Sequence, residues 1–214
     1  MLCWHGSWRH LVLAAVLLGG GEAVAQDVLD RVVARVGGVA ITLSDARAAI
    51  GLGLVDVPAG ADAVALATVQ LVDRELVLAE VARFPPPEPL PSVVVTESDS
   101  MRARAGENLA ALVRATGFDE ARIIQAARDT ARIDAYLVQR FGTNLPVSED
   151  DVALYYRDHP DEFLRDGEVV PFEEAEPTAR VGASETRRQE LIDEWVDDLR
   201  SRAEITLLTR STED

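Results

Sequence analysis

Apolar residues recur every three to four positions in several long stretches of this chain, and glycine or proline ends most of them. The clearest stripe lies within residues 61–84 and consists of Leu66, Val69, Val72, Leu76 and Ala79. This spacing is the period of one face of an α-helix. The run Pro85-Pro86-Pro87 then stops the helix, because proline lacks the amide that a helix interior needs. The sequence therefore predicts a mostly α fold.

Further helices are predicted from the same periodicity and from residues that cap helix ends. They cover residues 97–116, 119–140, 148–156 and 184–203, with a short one at 46–50. Thr42, Asp119 and Ser148 carry side-chain oxygens that accept hydrogen bonds from the free amides of a helix start. Gly117 and Gly142 are placed to end the helices that precede them.

A small antiparallel β-sheet is predicted from both ends of the expected domain. Residues 32–36 and 39–41 are β-prone, and Gly37-Gly38 between them suits a two-residue hairpin turn with positive φ. Residues 205–208 are β-prone as well. Since a hairpin alone is marginally stable, we expect 205–208 to join it as a third strand.

The expected domain is single and spans residues 26–210, followed by a tail at 211–214. Within it, the proline-rich segment 84–92 is interpreted as a stiff connector. The segment 164–183 is polar, rich in glutamate and contains proline, and it is interpreted as a loop.

A cleaved secretory signal peptide is predicted at residues 1–25. Arg9 precedes an apolar run at 11–18, and Ala23-Val24-Ala25 supplies a small-residue cleavage site. The run is shorter than the ~20 residues that span a bilayer; a buried N-terminal helix is the alternative. Removing 25 of the 214 residues leaves 189 and takes away Cys3, the only cysteine. Thiolate catalysis and disulfides are then excluded, and no stable membrane insertion is expected.

Charge and motifs exclude further classes of function. The net charge is −16, and an acidic surface repels phosphate, so nucleic acid is excluded as a partner. His159 beside Asp158 permits a metal or acid–base centre, but a helix end at His159-Pro160 is favoured because catalytic zinc normally takes three protein ligands. No phosphate loop, Gly-x-Ser-x-Gly or calcium loop is present. We expect no enzyme, no cofactor and no metal.

Four sequence segments resemble the SurA-type periplasmic chaperones (SurA N-terminal domain, PpiC-like family). They are VVARVGGVAITLSDA at 32–46, LVDRELVLAE at 71–80, SEDDVALYYRDHPDEF at 148–163, and VPFEEAEPTAR followed by the helix with WVDDLRSRAEITLL that ends at Leu208. Relatives carry a parvulin prolyl-isomerase domain between the last two segments. Only residues 164–170 separate the matching flanks here, so the isomerase domain is absent.

The resemblance implies a helical SurA/trigger-factor-like chaperone domain and a holdase function in the periplasm. Its partners would be unfolded or extended polypeptides, outer-membrane proteins among them. Aromatic residues that could line a client groove are Tyr136, Tyr155, Tyr156, Phe163 and Phe172, with core packing as the default for each. Adjacent helical residues point about 100° apart, so at least one of Tyr155 and Tyr156 is expected to be exposed.

Two other functions remain open at this point. One is an interaction subunit of an envelope complex, which would show a discrete apolar patch for one partner. The other is a peptidyl-prolyl isomerase, the activity that family resemblance alone suggests, acting through an unrecognised polar cleft.

Overall fold

The computed structural model describes residues 30–58 and 62–208. The expected signal peptide 1–25, with Cys3, and the tail 211–214 lie outside these residues. The strands are β1 (Val32–Val36), β2 (Val39–Thr42), β3 (Leu164–Arg165), β4 (Glu168–Val169) and β5 (Ile205–Leu207). The helices are α1 (Leu43–Leu52), α2 (Ala63–Arg83), α3 (Pro91–Ala105), α4 (Leu109–Thr116), α5 (Glu120–Phe141), α6 (Glu149–Asp158) and α7 (Phe172–Arg202). The fold is mostly α with a small antiparallel sheet, as predicted.

The main sheet is three-stranded, in the order β2-β1-β5, and both pairings are antiparallel. The turn between β1 and β2 uses Gly37 at φ 52° and Gly38 at φ 88°, values that residues with a Cβ rarely adopt. Strand β5 pairs with β1 through Arg35 opposite Thr206. The predicted third strand is therefore confirmed, and it brings the two ends of the described chain together.

The predicted helix caps are confirmed at three sites. Thr42 and Asp45 form a reciprocal capping box before α1, and Ser148 and Asp151 form another before α6. The Asp119 carboxylate accepts a hydrogen bond from the amide of Arg122 at the start of α5. Each cap fixes the point at which the chain leaves a loop and enters a helix.

Three clusters of buried apolar residues hold the fold together. The first joins the sheet to α1, α2, the second half of α5 and the end of α7, and it contains Tyr136 and Trp195. The second lies between α3, α4 and the first half of α5, around Met101 and Ile123. The third belongs to α6 and the first half of α7. We call residues 147–187, which enclose this third cluster, the arm.

The loop predicted at 164–183 is wrong. Residues 164–169 form the short hairpin β3–β4, and α7 begins at Phe172 rather than near residue 184. Pro177 is the sixth residue of α7, beyond the free amides of the helix start, so its ring forfeits one hydrogen bond, to the carbonyl of Glu173. Ala175, Ala179 and Ala183 recur every four residues and are buried against α6, which stabilises the helix.

The connector predicted at 84–92 is too long, and the helix predicted at 97–116 is not continuous. Helix α3 begins at Pro91, and proline is favoured at the first helical position because its missing amide would be unbonded there anyway. Gly106, at φ 54°, then breaks the helix before α4. None of the helices in the described residues combines the length and the hydropathy of a membrane-spanning segment.

Candidate peptide-binding grooves

The five aromatic residues proposed for a client groove do not form one site. Tyr136 lies in the first cluster and is 3 % exposed, and Phe163 lies in the third and is 4 % exposed. Both belong to the core, where Tyr136 packs on Trp195 and Phe163 packs on Tyr156. Their burial agrees with core packing, the default for each, and the suggestion that these two residues line a surface groove is wrong.

Tyr155 and Tyr156 are both half-buried. Neither is exposed, although exposure was expected of at least one of them, and neither is fully buried in the core. The two rings have different neighbours, but other residues of the arm cover each of them. Tyr156 lies 5.4 Å from Phe172, itself half-buried, between ring centroids, and its hydroxyl donates to the Val170 carbonyl at 2.6 Å. Tyr155 stacks on His159 at 4.1 Å.

His159 acts at the end of α6, in agreement with the helix-end interpretation. Its Nδ1 lies 2.9 Å from the Tyr155 carbonyl, and its ring covers the Tyr155 ring. The Tyr155 hydroxyl donates to Glu162 at 2.7 Å, and this bond, with burial, raises the pKa of Tyr155 to about 12. Among the described residues, no three metal-ligating side chains converge. These contacts fix the ring of Tyr155 in place.

The structure instead directs attention to the two edges of the main sheet. At the two ends of the β1–β5 ladder, the Leu208 amide donates to the Val33 carbonyl and the Gly37 amide donates to the Glu204 carbonyl. By alternation along the ladder, the amides and carbonyls of Ile205 and Leu207 face away from β1. No described strand pairs with that side of β5. An unpaired edge is a template on which another extended chain can add.

An open groove with a volume of about 520 Å³ lies at this edge, and we call it the β5 groove. Its walls come from β5, α1 and the first half of α2. The apolar lining includes Val33, Leu43, Val64, Val69, Leu207 and Leu208, and the charged lining is Arg31, Arg47 and Asp62. Leu207 is 52 % exposed and Val69 is 40 % exposed. The groove therefore offers solvent-exposed apolar side chains directly beside unpaired backbone groups.

A second groove of about 300 Å³ lies at the opposite edge of the sheet, and we call it the β2 groove. Strand β2, the buried face of α2 and the first half of α5 form its walls. Its apolar lining includes Val39, Ile41, Leu71, Leu78 and Phe118, and its charged lining is Asp45, Arg74, Glu75, Arg122 and Asp129. The groove thus combines an apolar floor with charged groups.

The charged side chains of the β2 groove differ in whether they have a hydrogen-bond or ion-pair partner. Arg74 Nη2 donates to the Ala126 carbonyl and the Thr130 hydroxyl, both at 3.0 Å. Arg122 pairs with Asp45 at 2.5 Å. Glu75 makes no side-chain hydrogen bond with a described residue. Burial raises the pKa of Glu75, Asp129 and Asp45 raise it further, and Arg74 offsets part of the effect.

Replacing Glu75 with glutamine is expected to raise the melting temperature at about pH 7 by about 1–3 °C. A raised pKa in the folded state means that stability falls as the pH rises through that pKa, and the loss is absent below the ordinary value of 4.5. Glutamine does not ionise, so the gain should vanish near pH 3. Thermal unfolding followed by circular dichroism across this pH range measures it; a gain of equal size at both ends of the range would contradict the assignment.

Sequence reasoning missed both grooves. Each is formed where residues far apart in the chain meet: Leu71 and Phe118 in one, Val69 and Leu207 in the other. One signal was available, since Leu71, Glu75 and Leu78 share a face of α2 at helical spacing and place a carboxylate in an apolar stripe.

In comparisons with known proteins, no family model, no curated protein and no solved structure matches the chain.

Proposed function

We propose that the chain is a chaperone of the holdase type, which binds extended segments of unfolded polypeptide and catalyses no reaction. The observation that carries the proposal is a small sheet whose two edges are unpaired among the described residues, each next to an open groove with apolar walls. Extended peptides bind to such edges through backbone hydrogen bonds, which do not depend on their sequence.

The β5 groove supplies the two kinds of contact that such binding needs, backbone hydrogen bonds and apolar contacts. The outward backbone groups of Ile205 and Leu207 would pair with the client's backbone, and the exposed side chains of Val69 and Leu207 would desolvate its apolar residues. The chain's net charge of −16 would keep the complex soluble. Affinity should be modest, because ordering a flexible client opposes binding.

The proposed compartment is the periplasm, and the proposed clients include outer-membrane proteins. Support comes from the signal-peptide pattern at 1–25 and from the resemblance of residues 32–46 and 71–80 to the SurA-type chaperones. The helix-rich SurA-like fold belongs to the same proposal. A mostly α architecture in which the last strand returns to the first hairpin is consistent with it.

The mature chain, from Gln26, is expected to suppress the aggregation of a denatured model protein at near-equimolar amounts. Light scattering after dilution from denaturant measures this, with and without the chain. A client sequence free of proline should be protected equally, because binding and not isomerisation is responsible. Leu207→Asp should lose most of the suppression, since it places a charge on the apolar wall of the β5 groove.

Leu164→Asp is the matched control, because Leu164 is also a strand residue and is 50 % exposed, but it lies on the arm. It should suppress aggregation as the unchanged chain does. Equal loss in both variants would remove the β5 groove from the mechanism. Absence of suppression by the unchanged chain would refute the holdase function and favour a subunit dedicated to one partner.

A further inference from the structure

We propose that the β2 groove is a second binding site, selective for extended segments in which a lysine or arginine follows apolar residues. The inference rests on the proposed chaperone function and specifies which client segments this site takes. Its three supports are an unpaired strand edge, an apolar wall and a carboxylate without a direct partner.

The unpaired edge follows from the register of the hairpin. Val36 faces Val39 next to the two-residue turn, so these two residues form a hydrogen-bonded pair and Arg35 with Ala40 does not. The amide and carbonyl of Ala40 consequently face away from β1. They make no other backbone hydrogen bond within the described residues. One residue of an extended ligand can therefore pair with Ala40 on the open side of β2.

The apolar wall lies beside this edge. Leu71 and Leu78 come from one face of α2, Ile41 from β2, and Phe118 from the turn before α5. Side chains of an added strand alternate between its two faces. A ligand paired with Ala40 would direct alternate side chains toward this wall, where apolar ones are favoured.

The charge of the groove determines which charged residue of the ligand is favoured after its apolar residues. The two arginines are already engaged, Arg122 with Asp45 and Arg74 with oxygens of α5. The Glu75 carboxylate lies between Leu71 and Leu78 on α2, is partly buried and has no hydrogen-bond partner among the described residues. A ligand cation would supply the missing partner, whereas a ligand carboxylate would be repelled by Glu75 and Asp129.

The test compares two fluorescein-labelled peptides on the mature chain by fluorescence anisotropy. One has the sequence Gly-Ser-Val-Thr-Val-Arg-Val-Thr-Gly-Ser, and its twin carries glutamate in place of arginine. We expect the arginine peptide to bind about tenfold more tightly, the size of one charge-assisted contact. The preference should weaken in high salt, because screening acts on the charge term alone.

Two variants separate the charge from the edge. Glu75→Gln should bring the two affinities together while the chain stays folded. Ala40→Pro should weaken both peptides by about threefold to tenfold, since it removes the outward amide but no bond of the β1–β2 ladder. Asp134→Asn is the charge-matched control: Asp134 lies outside the groove, next to Val93 and Thr96, and its loss should leave the preference intact.

The outcomes separate this inference from the proposed function. Suppression of aggregation with equal affinity for both peptides would overturn the selectivity and leave the holdase function standing. A preference that survives Glu75→Gln would also overturn it, because the cation would then be recognised elsewhere. Absence of both suppression and peptide binding would refute the chaperone function itself.

Discussion

Replacing Gly182 with valine is expected to destabilise the arm by about 1–3 kcal/mol, the range for overpacking a tight contact. Gly182 lies in α7 where α6 crosses it, and a Cβ atom there would overlap the ring of Tyr155 and come within 2.6 Å of its hydroxyl oxygen. The ring cannot turn away freely, because it stacks on His159 and bonds Glu162. Helix α6 must then separate from α7. Hydrogen exchange of the α6 amides measures this local opening.

The matched test of this contact is a double-mutant cycle with Tyr155→Ala. Removing the ring makes room for the valine, so the double variant should be more stable than the sum of the two single effects predicts. Val181→Ala, at the exposed neighbouring position, controls for changes in helix propensity. Unchanged exchange in Gly182→Val would mean that α6 and α7 do not depend on this close approach.

The sheet and the helix caps could be predicted from the sequence because each depends on neighbouring residues. The paired glycines at 37 and 38 determine the hairpin, and Thr42 with Asp45 determines the start of α1. Such signals act over a few positions and do not require knowledge of the rest of the fold. The third strand was predictable because a lone hairpin needs a partner and few β-prone segments remained.

The first half of α7, unlike α6, could not be predicted, because its cause is tertiary. Pro177 and the lack of a strong apolar stripe indicated a loop, whereas contact with α6 stabilises a helix through small residues such as Ala179. The same contact buries Phe163 and half-buries Tyr155. The local sequence pattern does not determine the burial of either residue. Alanine contributes little to a hydrophobic period, so the stripe that packs against α6 is weak in the sequence.

The candidate site shows the same division between local and tertiary causes. Aromatic residues were natural candidates for a groove because they have large apolar surfaces. The same large apolar surface favours burial, and Tyr136 and Phe163 lie in the core. The grooves are lined mainly by aliphatic residues such as Val69 and Leu78. Their exposure depends on which strand edge is left unpaired, and a helical stripe does not reveal this.

Replacing Trp195 with alanine is expected to cost about 3–5 kcal/mol of unfolding free energy, the range for removing a large buried aromatic side chain. Trp195 is 8 % exposed and packs on Tyr136 and Phe141, with ring centroids 5.8 and 5.6 Å away. These contacts hold the end of α7 against α5. Urea unfolding followed by circular dichroism measures the loss. Tryptophan fluorescence cannot be used, because the variant removes the only tryptophan after residue 25.

The consequence of Trp195→Ala should extend to the β5 groove. Strand β5 follows α7 after two residues, so its place beside β1 depends on where α7 ends. A bidentate ion pair of Arg200 with Asp73 also attaches α7, in this case to α2. The pair is partly exposed, so screening by water limits its contribution. Trp195→Phe keeps an aromatic ring in place and should retain both stability and suppression of aggregation to a greater degree. Full suppression by a destabilised Trp195→Ala chain would show that β5 holds its place without the aromatic cluster, and would place the attachment of α7 in the contacts around Arg200 instead.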